Sequence, residues 1–192
     1  MNALTEFPSL AEFAPDPFAD TLQRLRGLYD AMATALGVDR QLMEEQRDRA
    51  RGESPESYAE WEHLIYQNWE DDLDESKKLL CEMVLVRLNT AARSLLNETG
   101  ARPGRKKKKP RGAWPDYFRA AFAERKIDLT SAPGWDCVQE IAAARDKTQH
   151  PEAPAVRGNR YIDAVGEVEF SREVFEATLA RLGDFAKWLR EQ

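Results

Sequence analysis

The amino-acid sequence predicts an all-α protein, a bundle of four to six helices with a long central helix. A short irregular or hairpin segment is expected before the last helix. Apolar residues recur at helical spacing over two long stretches, and residues that start or stop helices flank them. Strand-like alternation is confined to the short "GEVEF". Together these three observations favour a helical bundle over any sheet-containing class.

The N-terminal part of the chain predicts two helices. Asp16, followed by a proline, is a good N-cap, so we expect a helix from there to about Leu36, just before Gly37. A polar segment, residues 38–51, separates it from a second helix that begins at Ser54. That second helix carries several large side chains, namely Tyr58, Trp61, Ile65 and Trp69.

The long central helix is predicted over "DESKKLLCEMVLVRLNTAARSLLNETG", residues 74–100. Its apolar positions recur every three or four residues and are broad enough for a helix surrounded by others. They are Leu80, Cys81, Val84, Leu85, Leu88, Ala91, Ala92 and Leu95. Gly100 and Pro103 end this helix, and a basic loop, residues 101–112, follows.

Three further helices complete the prediction. A short one spans about residues 114–126, and another runs from near Gly134 to about Gln149. An irregular stretch rich in proline and glycine follows. Ser171 caps the last helix, whose apolar face is formed by Phe175, Leu179, Leu182, Ala186 and Leu189. We expect two antiparallel helix pairs at the centre of the bundle.

Composition narrows the possible classes of protein. Cys81 and Cys137 are the only two cysteines, too few for a disulfide framework and without metal-ligand spacing, so we expect two reduced core thiols. No apolar stretch approaches the roughly 20 residues that span a bilayer. The N-terminus has acidic residues and prolines instead of a signal-peptide pattern. We therefore expect a cytoplasmic protein with no membrane contact.

Positive charge is concentrated in one segment. The chain has a formal net charge of -6, yet "RPGRKKKKPR", residues 102–111, carries seven positive charges and no negative one. Such a run attracts phosphates without reading sequence, and it also resembles a nuclear-localisation run or a plain solvated loop. The candidate nucleic-acid-binding residues are Arg105, Lys106, Lys107, Lys108, Lys109 and Arg111.

The helix ending near Gln149 carries a polar cluster at its C-terminus. At about 100° per residue, Arg145 falls within the apolar arc that includes Trp135 and Ile141. A guanidinium stays charged and is costly to bury alone, so it must meet an acid, line a cleft or face a partner. His150 precedes a proline and should be the first non-helical residue. Asp146 flanks the arc and can pair with either side chain.

This cluster resembles a known signature. The segment "RDKTQH", residues 145–150, is similar to the arginine, polar residue, three variable residues and histidine of the HEPN superfamily, a group of all-α bundles. The surrounding order of a central helix, a variable loop, a motif helix and a final amphipathic helix is similar too. The resemblance covers roughly residues 72–190. We therefore expect a HEPN-like domain over residues 72–192, with residues 1–71 as N-terminal helices packed on or extending the bundle.

The resemblance implies a metal-independent endoribonuclease without a cofactor, acting in toxin or antiviral-defence systems. Arg145, His150 and Asp146 would be the catalytic residues, with Asp146 at a position most often occupied by asparagine. His150 suits proton transfer because an ordinary histidine has a pKa of about 6.5. The implied partners are RNA, a second copy of the chain in a homodimer, and an antitoxin or defence-complex protein.

A second interpretation needs no catalysis. Arg145 can be the structural partner of an acid on a neighbouring helix, and His150 can stabilise a helix end. The chain would then be a non-catalytic helical RNA-binding or protein-interaction module. "EWEH", residues 60–63, has the Glu-x-x-His spacing of di-iron bundles, but residue 147 is not the second glutamate that such a centre requires. We therefore expect no metal site.

Overall fold

The computed structural model describes residues 16–99, 114–150, 158–163 and 165–192, and within them it is an all-α bundle. The predicted fold class is confirmed. The α-helices are α1 (Pro17–Glu53), α2 (Pro55–Trp61), α3 (Gln67–Glu98), α4 (Trp114–Ala123), α5 (Trp135–Gln149) and α6 (Arg172–Arg190). A π-helical turn, Glu62–Tyr66, joins α2 to α3, and a 3-10 turn, Leu129–Ser131, precedes α5.

Helices α1, α3, α5 and α6 form the centre of the bundle. The first and last of these run antiparallel: Asp16 at the start of α1 pairs with Arg190 at the end of α6. Further along, the rings of Tyr29 and Phe175 stack with their centroids 4.4 Å apart. Helix α3 is antiparallel to α1 and to α5, and α5 is antiparallel to α6. The four helices therefore alternate in direction around a shared core.

The core is formed by the apolar faces that the sequence predicts. All the predicted positions of the central helix and of the last helix are buried, and they belong to one continuous cluster. Burying a leucine or phenylalanine side chain contributes about 1.5–3 kcal/mol. The fully buried large side chains include Leu85, Leu88, Leu96, Ile141, Phe175, Leu182 and Phe185. Both cysteines are buried and free, as expected.

The first helix is longer than the sequence predicts. It continues through Gly37 and the polar segment to Glu53, so the expected end at Leu36 is wrong. Glycine weakens a helix but does not stop it, and pairing with the following helices stabilises this extension. The Trp69 indole donates to Asp39 at 2.8 Å, and the Arg47 guanidinium donates to the Tyr66 hydroxyl at 3.1 Å.

The second and third predicted helices are one continuous rod. We expected separate helices starting at Ser54 and at about residue 74, but helical structure continues from Pro55 to Glu98. A π-helical turn, Glu62–Tyr66, lies within this rod. Leu73, close to the expected break, is buried.

The fourth helix ends three residues earlier than predicted, at Ala123. Lys126 has a left-handed backbone with φ of 63°, and the Ile127 N–H donates back to the Phe122 carbonyl at 3.1 Å. This is a Schellman ending with lysine where glycine is usual. At the helix start, the Trp114 indole donates to Asn89 of α3 at 2.9 Å, which fixes α4 to the bundle.

A short hairpin-like segment precedes the last helix, as the sequence predicts. Ile162 and Val168 form an isolated antiparallel bridge. The Asp163 carboxylate accepts hydrogen bonds from the backbone N–H groups of Val165 and Glu167, at 2.9 and 2.8 Å. Ser171 then caps α6 by accepting from the Val174 N–H at 3.4 Å.

Candidate functional site

Helix α5 carries the motif residues, and its N-terminus is held tightly against α6. Gly134 has φ of 79°, and a Cβ at this position would collide with the backbone carbonyl of Arg181. One residue into the helix, Asp136 pairs with the Arg181 guanidinium. Burial raises the pKa of Asp136 more than any single contact lowers it, but the hydrogen bond and charge of Arg181, together with the Cys137 N–H and the charge of Arg160, leave the pKa lowered.

A buried hydrogen-bonded chain fixes the first turn of α5. The Tyr161 hydroxyl lies 2.7 Å from Thr178 Oγ1 and 3.4 Å from Cys137 Sγ. Thr178 donates its own proton to the Val174 carbonyl at 2.7 Å. It can therefore only accept from the Tyr161 hydroxyl, which in turn accepts from the Cys137 thiol. Burial raises the pKa of both Tyr161 and Cys137, so both groups stay protonated in the folded protein.

Arg145 lies where the buried face of α5 reaches the surface. The residues that share its face, Trp135, Val138, Ile141 and Ala142, are buried, whereas the Arg145 side chain is 30% exposed. Its Nη1 is 3.4 Å from Asp146 Oδ1. A partly exposed pair of sequence neighbours contributes only about 0–1 kcal/mol to stability. The pairing therefore orients the guanidinium more than it stabilises the fold.

His150 is the first non-helical residue, as the sequence predicts. Its backbone has φ of -132° and ψ of 75°, and its N–H donates to the Asp146 carbonyl at 2.9 Å. The residue is exposed. Asp146 pairs with Arg145 through its carboxylate, whereas its hydrogen bond with His150 is the ordinary backbone bond of the last helical turn. The three motif residues share one helix end that opens to solvent.

A groove of about 360 Å³ lies beside this helix end. Lys147 and Thr148 of α5 form one side, α3 forms another, and the hairpin-like segment closes the third. Thr148 also donates to the Arg145 carbonyl at 2.7 Å, which ties the groove to the motif. Lys78 pairs with Glu167 across the groove, and that hydrogen bond raises the pKa of Lys78.

The sequence did not predict this groove. Lys147 lies inside the motif, so the sequence could have suggested it as a binding residue. Lys78 is far from the motif in the sequence. Only the packing of α3 against α5 brings the two ammonium groups to one groove. Local spacing carries no signal of such a long-range arrangement.

The basic segment and the "EWEH" motif are the other sites that the sequence suggested. The basic residues Arg105 to Lys109 and Arg111 lie outside the described residues. His63 of "EWEH" is exposed on the π-helical turn. Across the described ranges, no three His, Cys, Asp or Glu side chains gather in a way that could hold a metal ion. The same ranges contain no helix with the length and apolarity needed to cross a membrane.

The fold and the helix-end cluster define an all-α bundle with an Arg-polar-x-x-x-His motif at the end of its fifth helix. No family model matches the chain, and comparison with curated proteins and with solved structures finds no match either. The resemblance to the HEPN superfamily therefore depends on the motif and its helical context alone, and it stays a prediction.

Proposed function

We propose that this protein is a metal-independent endoribonuclease of HEPN type, acting as a homodimer in a toxin or antiviral-defence system. The observation that supports this most directly is the end of α5. Arg145 and Asp146 are paired and partly exposed there, and the helix stops so that the exposed His150 follows them. An arginine and a histidine at one helix end are groups that can stabilise phosphoryl charge and transfer a proton.

In this mechanism the ribose 2′ oxygen attacks the adjacent phosphorus. The new O2′–P bond forms as the P–O5′ bond breaks, leaving a 2′,3′-cyclic phosphate and a 5′-hydroxyl. His150 transfers a proton at the reacting oxygens, and the His150 of a second copy supplies the complementary proton transfer. Arg145 stabilises the charge that develops on the phosphoryl oxygens, while Asp146 holds its guanidinium in place.

In this proposal the groove beside the motif takes the neighbouring part of an RNA strand. Lys78 and Lys147 supply positive charge and Thr148 a hydroxyl for a phosphate, although Glu82 and Glu167 also line the groove and offset that charge. The ion pair between Lys78 and Glu167 would have to open for direct contact, which makes binding sensitive to salt. Residues 105–111 would add further phosphate contacts that do not depend on RNA sequence.

The test compares RNA cleavage by Arg145→Ala and His150→Ala with the unaltered protein. Loss of proton transfer or of the cation should reduce cleavage about a hundredfold or more. Arg145→Lys should restore only part of the rate because lysine lacks the bidentate fork. Gln149→Ala, an exposed position on the same helix end, is the matched control and should cleave normally.

Folding of each variant is checked by circular dichroism and thermal unfolding. Cleavage that persists unchanged in both the arginine and the histidine variants would refute the catalytic proposal. Changing the four lysines 106–109 to alanine should weaken RNA binding and flatten its salt dependence, by about 0.7 in log–log slope for each lost phosphate contact. An unchanged slope would remove this segment from the RNA-binding surface.

A non-catalytic interaction module is the second candidate. It is favoured by large apolar side chains that are about half exposed, particularly Leu42, Leu64 and Leu79. Under this alternative, Arg145→Ala would have no activity to remove. Protein that is folded and dimeric yet leaves RNA intact over a wide range of substrates would favour it.

A further inference from the structure

A strongly acidic surface covers the outer part of the continuous rod and ends three residues before Lys78 of the groove. We call residues 55–75, which comprise α2, the π-helical turn and the start of α3, the acidic arm. It contains eight carboxylates and no lysine or arginine. Most of these carboxylates are on exposed residues, including Glu56, Glu60, Glu70 and Asp71.

The inner side of the acidic arm is packed and its outer side is not. Tyr66 is buried against α1, with the Arg47 guanidinium 5.0 Å from the centre of its ring. Leu64 and Ile65 point away and are 56% and 47% exposed. The π-helical turn places these two apolar side chains among the carboxylates, and π-helical turns are often found at functional sites. This face therefore combines negative charge with exposed apolar area.

The segment of this chain that complements such a face is residues 102–111, with seven positive charges and no negative one. Lysine side chains can lay their methylene groups on apolar surface while the ammonium group meets a carboxylate. Residues 102–111 therefore complement both the negative charge and the exposed apolar area of the acidic arm.

The segment cannot reach the outer part of the arm within one molecule. Thr99 is the described residue before the segment, and Lys109 follows it by ten residues, which span at most about 35 Å. Along the continuous helix, Leu64 lies 35 residues before Thr99, a distance of about 52 Å. A lysine side chain is too short to bridge the difference. The lysines of the segment can therefore contact Leu64 and the residues before it only in a second molecule, whereas Glu75, at the near end of the arm, lies within their reach.

We propose that the acidic arm of one copy binds residues 102–111 of a second copy, through Leu64, Ile65 and the surrounding carboxylates. A twofold arrangement forms this contact twice, since each copy offers both an arm and a basic segment. The inference does not depend on the ribonuclease proposal. RNA that binds the same lysines would compete with the arm.

The test measures the mass of the full-length chain by sedimentation equilibrium at low and at high salt, without RNA. A dimer is expected at low salt, with a dissociation constant that rises about tenfold or more at high salt. Two charge-reversed proteins are then made. In one, lysines 106–109 become glutamate, which takes the net charge of the segment from +7 to −1. In the other, five exposed carboxylates of the arm become lysine, which takes the net charge of the arm from −8 to +2. These five are Glu56, Glu60, Glu70, Asp71 and Asp72. Because the substituted side chains of the arm are exposed, the circular dichroism of the arm variant should be unchanged.

Each charge-reversed protein should be monomeric alone, and an equal mixture should form a heterodimer because opposite charges then face each other. A double variant, Leu64→Ser with Ile65→Ser, should weaken the wild-type dimer about tenfold. Leu28→Ser, at an exposed position on α1 outside the acidic arm, should leave the dimer unchanged. A chain that stays monomeric at low salt would overturn the proposal. So would a dimer that survives both reversals, because another surface, such as the α5 ends, would then hold it.

Discussion

Gly134→Ala is expected to destabilise the protein although it adds a single methyl group. The added Cβ would overlap the Arg181 carbonyl oxygen and come within 3.3 Å of Phe185 Cβ. Alanine in the left-handed conformation costs about 1–2 kcal/mol, and forcing packed elements apart costs about 1–3 kcal/mol. The more restricted unfolded chain offsets part of this. We expect a net loss of about 2–4 kcal/mol.

The same substitution at Gly37 should act in the opposite direction. Gly37 lies inside α1, and a Cβ there would meet no atom within 4 Å. Alanine is a better helix former than glycine by about 0.5–1 kcal/mol, so Gly37→Ala should stabilise. Gly27→Ala, at another open helical position, is a second control for the propensity effect.

Urea unfolding followed by circular dichroism measures both changes. Gly134→Ala should lower the melting temperature by roughly 5–15 °C for a chain of this size. A Gly134→Ala protein within about 0.5 kcal/mol of wild type would refute the close approach of α5 to α6. A destabilised Gly37→Ala protein would instead refute the continuous first helix.

Three smaller predictions concern titratable groups. Asp16→Asn keeps an N-cap but loses the ion pair with Arg190, which lowers the pKa of Asp16 below its ordinary value of 3.8. Because the pair is partly exposed, the free energy of unfolding of wild type should exceed that of the variant by only about 0.5 kcal/mol at neutral pH. This difference should be lost as the pH falls below 3.8 and through the lowered pKa of Asp16. Tyr161→Phe should cost about 1–2 kcal/mol in urea unfolding because it leaves the Cys137 thiol without its buried acceptor. A thiol reagent should label neither Cys81 nor Cys137 until the chain unfolds, and labelling of the native protein would contradict their burial.

Helix positions could be predicted well where packing and propensity agree. The central and last helices each bury a continuous apolar face, and their periodicity showed this directly. The end of α1 could not be predicted from Gly37, because its continuation depends on contacts with residues far along the chain. Likewise, the join between α2 and α3 depends on a π-helical turn, which has no recognisable pattern in a single sequence.

The candidate site was predicted in part. The spacing of Arg145 and His150, together with the following proline, was enough to place both at the end of a helix. The pairing of Arg145 with its sequence neighbour Asp146 was among the expected arrangements. The groove beside them was missed because Lys78 and Glu167 are brought there by tertiary packing alone.

The uninterrupted rod from Pro55 to Glu98 has a mechanical consequence. Its outer end projects about 37 Å beyond Leu80, and in that stretch it is helical throughout, with no loop to act as a joint. A tilt of about 5° around Leu80 would move Pro55 by about 3 Å. Lys78 and Glu82 are on the same rod and line the groove at the end of α5. A tilt of the outer end would therefore also tilt the helical turn that carries these two groove residues.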